Sequence, residues 1–264
     1  MTTPCACLLR GLDPRDIDPC LILTDVIEHP PELDRRTLTL LGRDGARVTK
    51  TRLRALSVSA RFELHEPDPA RRRHLCRELA RWAVPGGLLT LGDRPGQRLR
   101  VTCDAPPVTG STLGWTQPVT VRFTAWEAPW WEDETAVTAA SAAPAASGTL
   151  TLRPTGDLPT PLEATVRNAS GAVLDAVTLS CGGQAMTLTG LGMAPGETLT
   201  LDHDDRALTR LVIRAADGVT RSALPLRTAE SADEILLAPR QSSEIRYAAG
   251  GPVTASVTAR GRWL

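Results

Sequence analysis

The segment Leu56–Leu64, LSVSARFEL, decides the fold of the first half of this 264-residue chain. Its apolar residues alternate with serine, arginine and glutamate, and this period of two is typical of a β-strand with one face against a core. The same alternation occurs in Leu99–Cys103 and Val119–Ala125. The sequence therefore predicts a packed β-sheet in this half.

One amphipathic helix is predicted on this sheet, over residues 69–84. Asp68 can cap the first N–H groups, Pro69 suits the first turn, and Pro85-Gly86-Gly87 ends the helix. His74, Arg77, Glu78 and Arg81 point away from the sheet. The predicted inward side consists of Leu75, Cys76, Leu79, Trp82 and Ala83.

Two hairpin turns are predicted beside the helix. Asp44-Gly45 follows the strand-like run Thr37–Leu41, and Asp93–Gly96 joins Leu88–Leu91 to Arg98–Cys103. Residues of these types tolerate the backbone conformations that tight turns require. The first half is therefore predicted to be a β-sandwich-like domain with one helix.

Residues Ala136–Gly148, AVTAASAAPAASG, carry no charge and almost no large apolar side chain. We interpret them as a linker between a first domain, 1–135, and a second domain, 149–264. The second domain has short strand-like runs separated by turns and shows no helical period, which predicts a two-sheet β-sandwich. Its predicted strands are Thr149–Arg153, Leu162–Asn168, Val173–Ser180, Met186–Leu188, Thr198–Asp202, Leu208–Arg214, Glu234–Ala238, Ser243–Ala248 and Val253–Arg260.

The overall composition disfavours nucleic acid and membranes as partners. The chain has 30 basic and 30 acidic residues, whereas a nucleic-acid binder concentrates positive charge on one module. No apolar run reaches the roughly 18–20 residues of a membrane helix, and the start lacks the features of a signal peptide. We therefore expect synthesis in a cytoplasm, where the cysteines stay reduced. These are Cys5, Cys7, Cys20, Cys76, Cys103 and Cys181.

Motifs for catalysis, cofactors and metals are missing from the sequence. There is no phosphate-binding loop, no nucleophile elbow and no dinucleotide-binding turn. The strongest metal candidate is Asp202–Asp205, DHDD, but consecutive side chains on a strand or turn rarely converge on one ion, so we interpret it as a polar turn. Cys5, Cys7 and Cys20 do not complete a zinc site. We predict no enzymatic activity, no metal and no cofactor.

Two features of the predicted helix invite a functional interpretation. His74 and Cys76 are two positions apart, so they face different directions and cannot form a thiolate–imidazolium pair. Cys76 is interpreted as a core residue. Arg71–Arg73 could contact phosphate, but three arginines at a helix start more often form a solvated face or the edge of a protein interface.

The sequence also places three tryptophans together, Trp126, Trp130 and Trp131. Such a cluster can anchor a protein interface. It can equally close the core of the first domain. The sequence does not separate these two alternatives.

Taken in order, several motifs resemble the distal tail protein (Dit) family of long-tailed siphophages. They are Ile27–Pro31 (IEHPP), the strand Leu56–Leu64, Trp82–Gly87 (WAVPGG), Arg94-Pro95 and Ala128–Trp131 (APWW). This resemblance covers residues 20–134. Looser similarity continues through Leu162–Gly171, Gly196–Asp202 and the ending Ala259–Leu264.

The resemblance implies a virion structural protein at the phage tail tip, without enzymatic activity, assembled in the bacterial host cytoplasm. Its first domain would form a homo-oligomeric ring, expected to be a hexamer, single or stacked, between the tail tube protein and the tail-associated hub protein. Its second domain would be a galectin-like β-sandwich that attaches receptor-binding or accessory proteins. The alternative function is a carbohydrate-binding sandwich that contacts host glycans, although the second domain is poor in aromatic residues.

Overall fold

The computed structural model describes residues 6–39, 44–203 and 208–264. The chain divides into two compact units, residues 1–132 with Leu264 and residues 133–263. Strands dominate both units, and the described residues contain one α-helix. The prediction of a mainly β protein with one helix is confirmed. No helix in the described part of the chain is long and apolar enough to cross a membrane.

The first unit contains the helix and the strands that begin before the unit boundary. The last of these strands crosses into the second unit. In chain order they are β1 (Cys7–Leu9), β2 (Leu21–His29), β3 (Leu33–Thr39), β4 (Ala46–Leu53), β5 (Leu56–His65), α1 (Pro69–Ala83), β6 (Gly87–Leu91), β7 (Gln97–Cys103), β8 (Val108–Thr109), β9 (Thr116–Ala125) and β10 (Trp131–Asp133).

The main sheet of this unit has the strand order β1-β6-β7-β9-β5-β2. β5 and β9 pair antiparallel along their full lengths, from Leu56↔Ala125 to His65↔Thr116. The alternating apolar residues of these strands are buried, as the sequence pattern predicts. The sheet thus supplies one continuous apolar face to the core.

Helix α1 packs on that face. Asp68 accepts hydrogen bonds from the backbone N–H groups of Ala70 and Arg71, which caps the helix as predicted. Trp82 makes edge-to-face contacts with Phe62 and Phe123, at ring-centroid distances of 6.2 and 5.8 Å. Cys76, expected to be a core residue, is only half-buried.

Strands β3 and β4 form a two-stranded ribbon of their own, separate from the main sheet. They pair from Leu33↔Leu53 to Thr39↔Ala46, which confirms the pairing predicted around Asp44-Gly45. Nearly every residue of both strands is exposed. This hairpin therefore takes little part in the core of its unit.

The second unit contains the remaining strands. They are β11 (Val137–Ala140), β12 (Ala145–Leu152), β13 (Thr160–Pro161), β14 (Glu163–Asn168), β15 (Leu174–Cys181), β16 (Gln184–Met193), β17 (Thr198–His203), β18 (Thr209–Arg214), β19 (Thr220–Ser222), β20 (Leu236–Leu237), β21 (Ser243–Ala259) and β22 (Arg262–Trp263).

Strand β21 organises the second unit. The sequence predicts two strands here, Ser243–Ala248 and Val253–Arg260, but the structure has one strand of 17 residues. Its first part pairs with β12 and β15, and its last part pairs with β11 and β14. The prediction fails at Gly250-Gly251-Pro252, where the strand continues through a change of register: Ala248 is opposite Ser147, and Val253 is opposite Ala145.

The structure does not have the irregular conformation that was predicted for the linker Ala136–Gly148. Most of it lies in β11 and β12, which pair with β21 from Val137↔Ala259 onward. Val137 and Ala139 pack against the core of the second unit. Ladder hydrogen bonds use backbone groups, so a segment of small side chains can join a sheet.

Candidate interaction surfaces

Trp131 lies inside the protein, with 0% of its surface exposed. Its Nε1 donates a hydrogen bond to Glu28 Oε1 at 3.1 Å. The Arg94 guanidinium lies over its ring, 5.0 Å from the centroid. The tryptophan cluster was predicted either to anchor an interface or to close the core of the first domain. Trp131 therefore belongs to the core. Trp130 is half-buried and donates to Glu132 Oε1 at 3.3 Å.

Trp126 is the exposed member of the cluster, with 63% of its surface accessible. Its Nε1 donates to Asp104 Oδ1 at 3.0 Å. Partial burial raises the pKa of Asp104, but the hydrogen bonds from Trp126, Thr124 and Thr102 outweigh it, so the net pKa lies below its ordinary value. The ring is thus held in one orientation by an ionised carboxylate.

Two clefts flank the Trp126 ring. The larger, which we call the Trp126 cleft, has a volume of about 510 Å³, and the smaller measures about 170 Å³. Apolar side chains and arginine side chains line the larger cleft. This cleft lies at the base of the β3–β4 hairpin. Its lining includes Pro30, Glu32, Arg54, Ala55, Arg122 and Trp126.

A loop between β7 and β9, residues 105–115, displays apolar side chains to solvent; we call it the Trp115 loop. Val108, Leu113 and Trp115 are 68%, 78% and 69% exposed. No pattern in the sequence predicted this loop. The only available signal was the presence of large apolar residues within a stretch rich in proline, glycine and threonine, where no core pattern explains them.

Hydrogen bonds hold the backbone of the Trp115 loop in place. β8 pairs with β9, and Gly110 N donates to Pro118 O at 2.8 Å. Leu113 and Thr116 exchange backbone hydrogen bonds of 2.9 and 3.1 Å, and Glu66 N donates to Trp115 O at 3.1 Å. The loop is therefore ordered by its main chain while its large side chains stay uncovered.

The β3–β4 hairpin carries different groups on its two faces. Arg36↔Lys50 and Leu38↔Arg47 are cross-strand pairs on one face, with Asp34↔Arg52 beside them. Positive charge therefore dominates this face. The other face includes the apolar residues Leu33 and Val48, which are also exposed.

Among the described residues, the sequence candidates for metal binding do not assemble into a site. Asp202 pairs with Arg210 across the β17–β18 hairpin, with an Nη2–Oδ2 distance of 2.5 Å. Asp204 and Asp205, like Cys5, lie outside the described residues. Within the described ranges no group of three histidine, cysteine or acidic side chains could hold a metal ion.

Four of the described thiols, Cys20, Cys76, Cys103 and Cys181, lack the electrostatics of nucleophiles. Burial raises the pKa of the Cys76, Cys103 and Cys181 thiols, and a hydrogen bond with Asp18 raises that of Cys20. A reactive cysteine needs the opposite shift. These cysteines are therefore in environments that favour the neutral thiol.

The three arginines at the start of α1 have different environments. Arg72, expected to be solvated or at an interface edge, is buried, and its Nη1 donates to Glu66 O at 2.7 Å. Arg71 forms ion pairs with Asp18 and Glu66, both at 3.1 Å. Only Arg73 is exposed without an ion pair within the described part of the chain. The run is therefore mainly structural and does not form a phosphate site.

Comparison with known proteins identifies the fold. No protein-family model and no curated protein sequence matches this chain. Among solved structures, the chain is similar to the Dit protein of SPP1, with a TM-score of 0.71 and 16% sequence identity, over 98% of this chain and 99% of that one. The chain has the Dit fold. SPP1 Dit is described as a paradigm of the hub adsorption apparatus in phages that infect Gram-positive bacteria.

Two structures of the phage p2 baseplate in its activated conformation are also similar. The Ca structure has 7% identity and a TM-score of 0.47, covering 93% of this chain and 91% of that one. The Sr structure has 7% identity and a TM-score of 0.49, covering 97% of both chains.

Within the Dit fold of this chain, the hairpin, the Trp115 loop and the Trp126 cleft all belong to the first unit. The second unit has a polar cleft of about 780 Å³ beside the β15–β16 turn, lined by residues such as Gln184, Gln241, Ser243 and Glu244. No aromatic ring is among its described lining residues. Sugar sites usually combine a stacking ring with convergent polar groups, so this cleft adds nothing to the carbohydrate alternative.

Proposed function

We propose that this protein is a structural component of a bacteriophage tail tip. Its first unit forms a ring hub, expected to be a hexamer, that joins the tail tube to the adsorption apparatus. The observation that carries this proposal is the correspondence with SPP1 Dit, a hub adsorption protein, along 98% of this chain and 99% of that one. The role of the molecule is then structural and not catalytic.

The β3–β4 hairpin supports self-association of the first unit. A two-stranded hairpin is at best marginally stable in water unless its face packs on something. Here Leu33 and Val48 are exposed on one face, and Arg36 and Lys50 on the other. A neighbouring copy that covered this hairpin would bury apolar surface and neutralise charge. Stable permanent interfaces bury on the order of 2,000 Å² or more.

The second unit is proposed to be the attachment point for receptor-binding or accessory tail proteins. Its core is complete without the hairpin or the loop of the first unit, because strands β11–β18 and β21 enclose their own apolar cluster. Its outer surface is then available to partners. The proposed location of the protein is accordingly the tail tip of the virion.

The proposal is tested by the assembly state of the purified full-length protein. Sedimentation velocity from about 1 to 100 µM should show a concentration-dependent closed oligomer, and negative-stain electron microscopy should show rings with a central opening. A protein that stays monomeric over this range and shows no rings would contradict the ring hub. Association without closure, such as open filaments, would also count against it.

A further inference from the structure

Two exposed tryptophans lie at opposite ends of one strand in the first unit. Trp115 immediately precedes β9, and Trp126 immediately follows it. Trp126 follows Trp115 by eleven positions along this strand, and at about 3.3 Å per residue the two residues are about 36 Å apart. The Trp115 side chain therefore cannot reach the Trp126 cleft of its own chain. Insertion of Trp115 into the Trp126 cleft therefore requires two copies.

The two features are chemically complementary. The Trp115 loop offers an aromatic ring with two aliphatic side chains, Val108 and Leu113, on a backbone that is already ordered. A preordered loop loses little conformational entropy when it binds. Exposed apolar groups concentrated in this way mark interaction sites.

The Trp126 cleft offers what such a loop needs. The exposed Trp126 ring is fixed by Asp104 and gives an aromatic surface for stacking, and Pro30 and Ala55 add apolar wall. Arg54 and Arg122 line the same cleft, and a guanidinium over a tryptophan face is attractive. A volume of about 510 Å³ lies within the usual range of pockets that enclose a small ligand.

We propose that the Trp115 loop of one copy binds in the Trp126 cleft of the next copy. This inference rests on the proposed function, because it names a contact by which first units join. The contact is heterologous: each copy uses its loop toward one neighbour and its cleft toward the other, which is the arrangement that closes into rings. The cleft lies at the base of the β3–β4 hairpin, so an inserted loop is continuous with the surface that the hairpin presents.

The test is a complementation experiment on full-length protein with Trp115→Ala, Trp126→Ala and a mixture of the two. Each variant alone should self-associate at least tenfold more weakly than wild type in sedimentation velocity. In the equimolar mixture, intact loops from Trp126→Ala copies meet intact clefts from Trp115→Ala copies. The mixture should therefore form pairs with nearly wild-type affinity and should not grow into larger rings.

Controls separate loss of the contact from loss of the fold. Both side chains are largely exposed, so circular dichroism and melting temperature should stay near wild type. Leu113→Ser and Arg122→Glu provide second variants on each side, and Val84→Ser removes an exposed apolar residue of the same unit outside both features. Val84→Ser should associate like wild type.

The outcomes distinguish this inference from the proposed function. Rings of Trp115→Ala as stable as those of wild type would overturn the loop-in-cleft contact and leave the ring hub intact. A mixture that associates no better than the single variants would overturn the heterologous arrangement. Wild-type protein that never associates would overturn the ring hub itself, and this inference with it.

Discussion

The guanidinium carbon of Arg94 lies 5.0 Å from the centre of the Trp131 ring. The same guanidinium donates two hydrogen bonds of 3.0 Å to the two oxygens of Glu28. Trp131 Nε1 donates to Glu28 Oε1 as well. The three side chains come from β2, from the β6–β7 turn and from β10, so one charge-assisted cluster ties together distant parts of the first unit.

We predict that Trp131→Ala destabilises the protein by about 3–5 kcal/mol, because it removes a fully buried ring and leaves a cavity beside the Glu28–Arg94 ion pair. Trp131→Phe should cost about 1–2 kcal/mol, since it mainly deprives Glu28 of a donor. Denaturant unfolding measures both. Trp126→Ala is the matched control and should stay within about 1 kcal/mol of wild type. Equal losses at the two positions would contradict the assignment of Trp131 to the core.

The strands and the helix of the first unit were predictable because their signals are local. The alternation in Leu56–Leu64 and the cap at Asp68 each depend on a few adjacent residues, and the structure has β5 and α1 at these places. Trp131 and Trp126 show the limit of this approach. Both lie in one short segment, but burial of one and exposure of the other depend on Glu28 and Asp104, which are remote in sequence.

The failures of prediction come from long-range backbone pairing. Ala136–Gly148 has the composition of a linker, yet β21 supplies backbone partners for it from about a hundred residues away or more. The Trp115 loop was missed for a related reason. Its apolar residues have no period, and only the structure shows that they remain uncovered.

A second prediction concerns the C-terminal end of α1. Gly86 has a φ of +62°, and a Cβ there would overlap the carbonyl oxygen of Val101 and lie 3.0 Å from Thr102 Cα. Gly96 has a similar φ, +75°, but open space around it. Gly96→Ala should therefore cost about 1 kcal/mol from backbone strain alone, and Gly86→Ala about 3 kcal/mol or more. The comparison of their melting temperatures isolates the cost of the backbone contact; equal shifts would show that strain alone accounts for both.

A third prediction concerns acid stability in the second unit. Hydrogen bonds from Arg221, at 2.7 and 2.8 Å, lower the pKa of Glu197 more than burial raises it, with a further bond from Ala194 N at 2.9 Å. The folded-state pKa is therefore below the unfolded one. The ionised carboxylate stabilises the fold above the unfolded pKa, and this contribution is lost as the pH falls through the folded pKa.

Glu197→Gln should accordingly lower stability at pH 7 and lose less stability than wild type on acidification to about pH 3. Urea unfolding at a series of pH values measures the difference. Arg221→Ala removes the hydrogen-bond partner of Glu197. Like Glu197→Gln, it should reduce the stability that is lost on acidification. A wild-type pH profile in both variants would show that the pair contributes no linked stability.

The last prediction concerns the charged face of the β3–β4 hairpin. Arg36 and Lys50 are a cross-strand pair of like charge, which is unfavourable in an isolated hairpin. An acidic surface of a neighbouring copy would offset that repulsion, and added salt would screen the attraction. Arg36→Glu combined with Lys50→Glu should weaken self-association at least tenfold at low salt and leave the melting temperature close to wild type. The control is Arg167→Glu with Arg214→Glu, which reverses two exposed charges of the second unit and should associate like wild type. Association that is equally strong in the hairpin variant, or insensitive to salt in wild type, would show that this face does not contribute to assembly.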